Sequence, residues 1–298
     1  VTQLEKLAVS ITGKEAALFV SSGTQGNLLA LLSHCERGDE YIAGNDAHTY
    51  RFEAGGGAVL GGIQPQPIPF NEHGELEIEA IRQVIKPDDY HFAKTKLVCL
   101  ENTTAGKVLA LDYLSEFSDF ACSQGLSRHL DGARVFNAAV QLGVDVTEIC
   151  QYFDSVSICL SKGLAAPVGS LLVGSDELIV KARRWRKMVG AGMRQSGILA
   201  AAGIYALEHN IDRLADDHRH ASELAKALGQ LSAFKLQSMP VTNMVHLDLE
   251  AKRYQSLQAY LADNGVNTSS QRWVMHRDVS SANVDQLIEL CRNFDRRA

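Results

Sequence analysis

Two runs, TKLVCLEN (residues 95–102) and SVSICLSKG (155–163), bring apolar residues to near-successive positions, so a strand formed by either would be covered on both faces. That pattern belongs to a sheet sandwiched between helices, and such sheets are built mainly of parallel strands. The first 210 residues alternate accordingly. AALFVSSGT (16–24) reads as a strand entering a turn of small residues, QGNLLALLSHC (25–35) as a helix, and DEYIAGND (39–46) and QPQPIPF (64–70) as short extended pieces. ELEIEAIRQVI (75–85) and LDYLSEFSDFACSQG (111–125) have helical periodicity, the second ending at Gly125. After a long polar–apolar helix, NIDRLADDHRHASELAKALGQL (210–231), the pattern changes. TNMVHLDLE alternates like a half-exposed antiparallel strand, QSLQAYLADNG is a helix, RWVMHRDV a strand, and SSANVDQLIELCRNF a serine-capped helix. The expectation is a large α/β domain over 1–210 with a mainly parallel sheet, and a smaller α+β domain over 211–298.

Composition excludes several classes. With 46% apolar and 21% charged residues the chain resembles a soluble globular protein. A net charge of −6 argues against nucleic-acid or membrane-surface partners, which call for a basic face, and no apolar run has the length of a membrane span. Cys35, Cys99, Cys122, Cys150, Cys159 and Cys291 are scattered without a C-x-x-C pair. They read as buried free thiols in a reducing, cytoplasmic setting, with neither a disulfide frame nor a metal site. The first residues already follow helical spacing (Leu4, Leu7, Ile11) and lack a signal-peptide pattern, so a preceding segment is expected.

Four features sit where a parallel sheet presents ligands, at the carboxyl ends of its strands. SSGTQGN (21–27) is a turn from strand to helix whose amides, with the Thr24 hydroxyl, suit a phosphate; a plain N-cap by Ser22 or Thr24 explains it equally well. It is neither a Walker A loop nor G-x-G-x-x-G. In HLDGAR (129–134), Asp131 ends an apolar strand before Gly132 and Ala133, so its carboxylate can hold a cationic nitrogen while Arg134 pairs with an oxyanion. An Asp–Arg pair within one turn is the simpler reading, but it leaves the two small residues unexplained. Lys162 follows an apolar run and precedes Gly163, Ala165 and Ala166; it is either a solvated strand end or an amine able to attack a carbonyl. His48, before the glycine run at 55–57, can lie over a planar ligand or be an ordinary satisfied histidine. In this order the four form the arrangement that holds lysine-bound pyridoxal phosphate.

At these residues the chain resembles the L-threonine aldolases, in particular the low-specificity and L-allo-threonine branch of the fold-type-I (aspartate aminotransferase-like) pyridoxal-phosphate enzymes. The resembling motifs include GKEAALFVSSGTQGNLLAL, DAHTYRFEAGG, HFAKTKLVCLENT, HLDGARVFNA, DSVSICLSKGLAAPVGSLLVGS and RKMVGAGMRQSGILAAAG, spread over nearly the whole chain. The resemblance implies that Lys162 is the Schiff-base lysine, Asp131 the partner of the ring nitrogen, Arg134 the arginine at the cofactor's O3′ side, and Gly23 and Thr24 the phosphate cradle. It further implies His48 stacked over the ring and near the substrate hydroxyl, His91 reaching that hydroxyl from a loop, and Arg272 gripping the substrate carboxylate. Lys187 and Arg194 would approach the cofactor phosphate of a neighbouring subunit, giving a homodimer or homotetramer with shared active sites. ENTTAGKV replaces the family's ENTH start, and the family has a longer connection before QRWVMHRDV. The implied reaction is retro-aldol cleavage of a β-hydroxy-α-amino acid to glycine and an aldehyde. Its rivals are a β-eliminating lyase or racemase of the same fold, and an inactive scaffold that keeps the fold.

Overall fold

In the computed structural model, which describes residues 1–297, the doubly apolar runs become central strands of a seven-stranded sheet. Its strands are β1 (Ala16–Val20), β2 (Asp39–Gly44), β3 (Gln64–Ile68), β4 (Lys94–Glu101), β5 (Ser127–Gly132), β6 (Ser155–Cys159) and β7 (Ser170–Gly174). They lie in the order β1-β7-β6-β5-β4-β2-β3. The pairs β2–β3, β2–β4, β4–β5 and β5–β6 are parallel, whereas β7 runs antiparallel to both β6 and β1. Sequence patterning missed β7, because SLLVG follows a proline–glycine turn and looks like more of the same apolar run. β3 carries Pro65 and Pro67, and it closes one end of the sheet, where its free edge needs no N–H donor.

Helices α1 (Thr2–Thr12), α2 (Gly23–His34), α3 (His48–Arg51), α4 (Ile78–Val84), α5 (Leu111–Ser123), α6 (Val135–Leu142), α7 (Thr147–Cys150), α8 (Asp176–Met188) and α9 (Gly197–His209) complete this unit. It comprises Val1–Thr104 together with Val108–Ile211. Its interior is fully buried aliphatic and aromatic residues such as Leu18, Phe19, Leu29, Ile42, Leu97, Phe117 and Phe153. Burial of this kind contributes about 25 cal/mol per Å² of apolar surface and is the main force holding the layers together. Gly26 lets α2 settle on β6, since a Cβ there would stand 3.2 Å from Ser157 Cβ. Gly132 has a similar reason: a Cβ would meet Ser157 O at 2.7 Å and Val156 Cγ1 at 2.8 Å. Its smallness therefore serves strand packing. Arg128, unusual in an apolar strand, folds back onto the Asp154 carboxylate through Nε (3.2 Å) and Nη2 (2.6 Å) and onto Ser118 Oγ (2.6 Å).

The second unit joins Ala105–Lys107 to the chain from Asp212 onward. It holds α10 (Leu214–Leu228), β8 (Met244–His246), α11 (Ala251–Asp263), β9 (Arg272–Val274) and α12 (Ser281–Asp295), around a core that includes Leu224, Leu228, Val245, Leu257, Leu261 and Trp273. β8 and β9 pair antiparallel, as the alternation of TNMVHLDLE implies, but only three residues of each run are strand. Thr242 and Asn243 spend their polar ends otherwise, on Gly106 O (2.7 Å) and Met275 O (2.9 Å). The expected serine cap is Ser280, which forms a reciprocal capping box with Asn283. Five of the six cysteines are buried and all are free thiols; Cys122, expected to be buried, is exposed because it lies on the outer side of α5.

Candidate active site

The parallel register sets the carboxyl ends of β4, β5 and β6 side by side, with Glu101 opposite Asp131 and Asp131 opposite Ser157. Lys162 follows β6 directly, in a turn closed by Ala165 N–H to Lys162 O (2.9 Å) and Ala166 N–H to Leu160 O (2.9 Å). Its side chain is half-buried, and its positive charge works against protonation of His48 and for ionisation of Glu101. Gly23 and Thr24 open α2; Ser22 caps that helix through Gln25 N–H (3.1 Å), while the amides of the first turn have no acceptor inside the helix. The N-cap reading of SSGTQGN is therefore met by Ser22.

Asp131 is 3% exposed and is held at both oxygens, by Ala133 N–H (3.0 Å) and by Asn27 Nδ2 (2.8 Å). The same Asn27 NH2 donates to Glu53 Oε1 (2.8 Å), and that oxygen meets His48 Nδ1, also at 2.8 Å. The hydrogen bond His48 donates to Glu53 raises the pKa of His48 above its ordinary value, burial opposes it, and the charge of Asp131 adds to it. Burial pushes the Glu53 carboxyl up as well, against the pull of His48 and Asn27. The backbone N–H of His48 donates to Glu101 Oε2 (2.8 Å); burial and then the charge of Asp131 push the Glu101 carboxyl up to about 7. His48, Glu53 and Asp131 are close enough to share a cation, but the Asn27 NH2 group already serves the two carboxylates at hydrogen-bond distance.

The other expected residues divide. Arg134 caps α6 from a half-buried position. Lys187 and Arg194 are exposed, at the end of α8 and in the loop after it. His91 is exposed in a turn, with its Nδ1 on Asp89 Oδ1 (2.7 Å) and its ring against Tyr90 (3.9 Å between centroids). Arg272 begins β9 in the second unit, with an exposed side chain. Sequence reading did not select Asn27, Glu53, Glu101 or His129. The signal was present: Asn27 is a polar residue in an apolar helix, and Glu101 ends its strand as Asp131 ends the next. His129 lies two residues before Asp131, on the same strand face.

A buried orphan supports the phosphate cradle. Ser170 Oγ is fully buried, has no hydrogen-bond partner among the described residues, and lies 3.8 Å from where a Cβ on Gly23 would stand. An orphan hydroxyl beside helix amides, an amine at Lys162 and a carboxylate fixed at Asp131 fit the donor set that pyridoxal phosphate requires.

Burial also fixes how this region responds to acid. It pushes His34 down to about 4 and His129 down to about 3, so both stay neutral in the fold. The unfolded chain takes up these protons near the ordinary histidine value of 6.5, so it binds more protons than the fold as pH falls below that value. Stability should therefore fall between about pH 6.5 and about 4, by about 1.4 kcal/mol per pH unit for each imidazole. Urea midpoints measured across this range should drop less steeply in His34→Gln than in the unsubstituted protein.

The mainly parallel sheet, with carboxylates at its strand ends and the lysine turn after β6, has the α/β architecture of the fold-type-I class. The family model for beta-eliminating lyases matches residues 1–252. The low-specificity L-threonine aldolase of Escherichia coli (strain K12) is 50% identical over 297 residues, covering 99% of this chain and 88% of its own. Low-specificity L-threonine aldolase 1 of Arabidopsis thaliana is 40% identical over 297 residues, covering 95% of this chain and 83% of its own. The solved structure of Leishmania major threonine aldolase superposes with a TM-score of 0.82 at 21% identity, over 99% of this chain and 89% of the other, which shows the shared fold. The chain belongs to the beta-eliminating lyase family and, within it, to the low-specificity L-threonine aldolases.

Proposed function

We propose that this chain cleaves the Cα–Cβ bond of L-threonine and L-allo-threonine, giving glycine and acetaldehyde, with pyridoxal phosphate as cofactor. The observation that carries the reading is the cluster of His48, Glu53, Asn27 and Asp131 beside Lys162, in a chain half identical to a low-specificity L-threonine aldolase. Lys162 would carry the cofactor's aldehyde, Asp131 would face its ring nitrogen, Arg134 its O3′ side, and Gly23 and Thr24 its phosphate. When bound, that ring takes up the electron pair released as Cα–Cβ breaks. Arg272 would grip the substrate carboxylate in a two-point fork and so decide which bond at Cα is turned towards cleavage. Neutral His48 accepts the β-hydroxyl proton, with His91 the alternative from its loop. A homodimer or homotetramer is part of the proposal, with Lys187 and Arg194 reaching a neighbour's phosphate. Exposed Met188, Met193, Ile198 and Tyr205 in the same part of the chain support it. So are the 1–210 and 211–298 domains and a cytoplasmic setting; no helix among the described residues is long and apolar enough to cross a membrane.

Glycine and acetaldehyde formed in equal amounts from L-allo-threonine support the reading; ammonia and a keto acid would instead make the chain a β-eliminating lyase. The role of His48 has its own test. A base must be neutral, so activity should rise as pH passes upward through the raised His48 pKa. Glu53→Gln removes the hydrogen-bonded carboxylate that raises it, so the acidic limb of the kcat/KM profile should move to lower pH. An unmoved limb would take His48 out of that role.

A further inference from the structure

Below the two carboxylates runs a buried polar ladder that the reaction itself does not use. In the parallel register His129 stands opposite Ser155, and Asp131 opposite Ser157, all on one face of β5 and β6, with α2 laid across them. Asn27 Nδ2 donates to Asp131 Oδ2 and Glu53 Oε1, and Asn27 Oδ1 receives Ser157 Oγ (2.6 Å) and His129 Nε2 (3.2 Å). His129 Nδ1 meets Ser155 Oγ at 2.8 Å, and Ser155 Oγ meets His34 Nε2 at 2.8 Å. Asn27, His129, Ser155 and Ser157 are each at most 1% exposed, so water does not substitute for any of these partners.

The direction of every bond follows from the top. Ionised carboxylates only accept, so the amide must turn its NH2 end towards them and its oxygen downwards. The oxygen then needs donors, which fixes the hydrogen of His129 on Nε2 and leaves Nδ1 to accept from Ser155. Ser157 can donate or accept and a neutral imidazole has two tautomers, so the carboxylates set the amide and the Nε2–H of His129 then holds its oxygen in place. A proton cannot pass through an amide as it passes along a chain of hydroxyls, so this ladder orients groups and carries no proton.

We infer that His129 is a positioning residue: it locks the Asn27 amide so that Asp131 and Glu53 are both held in place as hydrogen-bond acceptors, one for the cofactor ring nitrogen and one for His48. The inference rests on the pyridoxal-phosphate reading of Asp131. It extends the site by a layer, from groups that touch cofactor or substrate to one that acts through Asn27.

Two measurements test it. In protein labelled with 15N-histidine, His129 should give the signals of one Nε2–H tautomer, unchanged from about pH 5 to about pH 9. In the apo-protein titrated with pyridoxal phosphate, His129→Leu should weaken binding by about tenfold, the loss expected for a hydrogen bond supporting a charged group. It should lower kcat by a similar factor, with KM for L-allo-threonine within about twofold. His129→Gln, whose NH2 can replace Nε2–H, should restore both to within about threefold. A His129 hydrogen found on Nδ1 overturns the inference. So does a folded His129→Leu protein that melts earlier but keeps the original cofactor affinity and kcat. If the leucine variant does not fold, a glutamine variant folded but as impaired as a donorless site refutes the inference equally. Failure of the unsubstituted protein to bind pyridoxal phosphate would sink the cofactor reading instead, and the tautomer of His129 would still decide how Asn27 is held.

Discussion

Lys162→Ala should cost about 10⁴-fold or more in glycine formation, the scale of losing a covalent nucleophile. It should also remove the visible absorbance that pyridoxal phosphate acquires on joining a protein lysine. The fold should survive, since the turn after β6 is closed by backbone bonds from Ala165 and Ala166 and the lysine side chain is only half-buried. The lysine's charge offsets that of Glu101, whose carboxyl the charge of Asp131 pushes the other way, so a neutral alanine leaves the strand ends more negative. The nearby positive charge of Lys162 lowers the Glu101 pKa, so without it that carboxyl should rise further in the variant. The measurements are single-turnover glycine release and an absorbance spectrum at matched cofactor concentration. An alanine variant that keeps full activity would end the assignment of Lys162.

Much of this architecture is legible in the sequence, and the reason is local. Strands β4 and β6 announce themselves because a doubly covered strand must be apolar at nearly every position. The cap of α12 is legible because Ser280 and Asn283 satisfy helix amides within three residues of each other. Lys162 and Asp131 stand out because charged groups at the ends of apolar runs need a reason to be there. What stays hidden depends on pairing between distant segments. The serines of SVSIC look like breaks in an apolar strand until the register with β5 puts Ser155 beside His129 and Ser157 beside Asp131. Asn27 stands out only as a polar residue in an apolar helix, and its partners appear when Gly26 brings α2 down onto β6. β7 is hidden for the opposite reason: nothing in SLLVG states which way the strand runs, and its antiparallel pairing follows from the tight turn after Lys162.

Asp131→Asn is the second substitution expected to have a large effect, and it separates charge from shape. The asparagine fills the same volume but has one acceptor oxygen where the carboxylate has two. In the native site Oδ1 receives Ala133 N–H and Oδ2 receives the Asn27 amide, so the variant must turn an NH2 towards one of two donors. The negative charge proposed to face the ring nitrogen is lost as well, and preorganised electrostatic groups of this kind are worth about 10²–10³-fold in kcat. KM should change far less, because the substrate carboxylate is assigned to Arg272. The pH dependence supplies an independent sign. The charge of Asp131 raises the pKa values of His48, Glu53 and Glu101, so its removal should lower all three. The acidic limb of the kcat/KM profile should then move to lower pH even as the plateau falls. A fallen plateau with an unmoved limb would mean that Asp131 acts on the ring alone and is electrostatically separate from His48. An unchanged plateau would remove Asp131 from the ring nitrogen altogether.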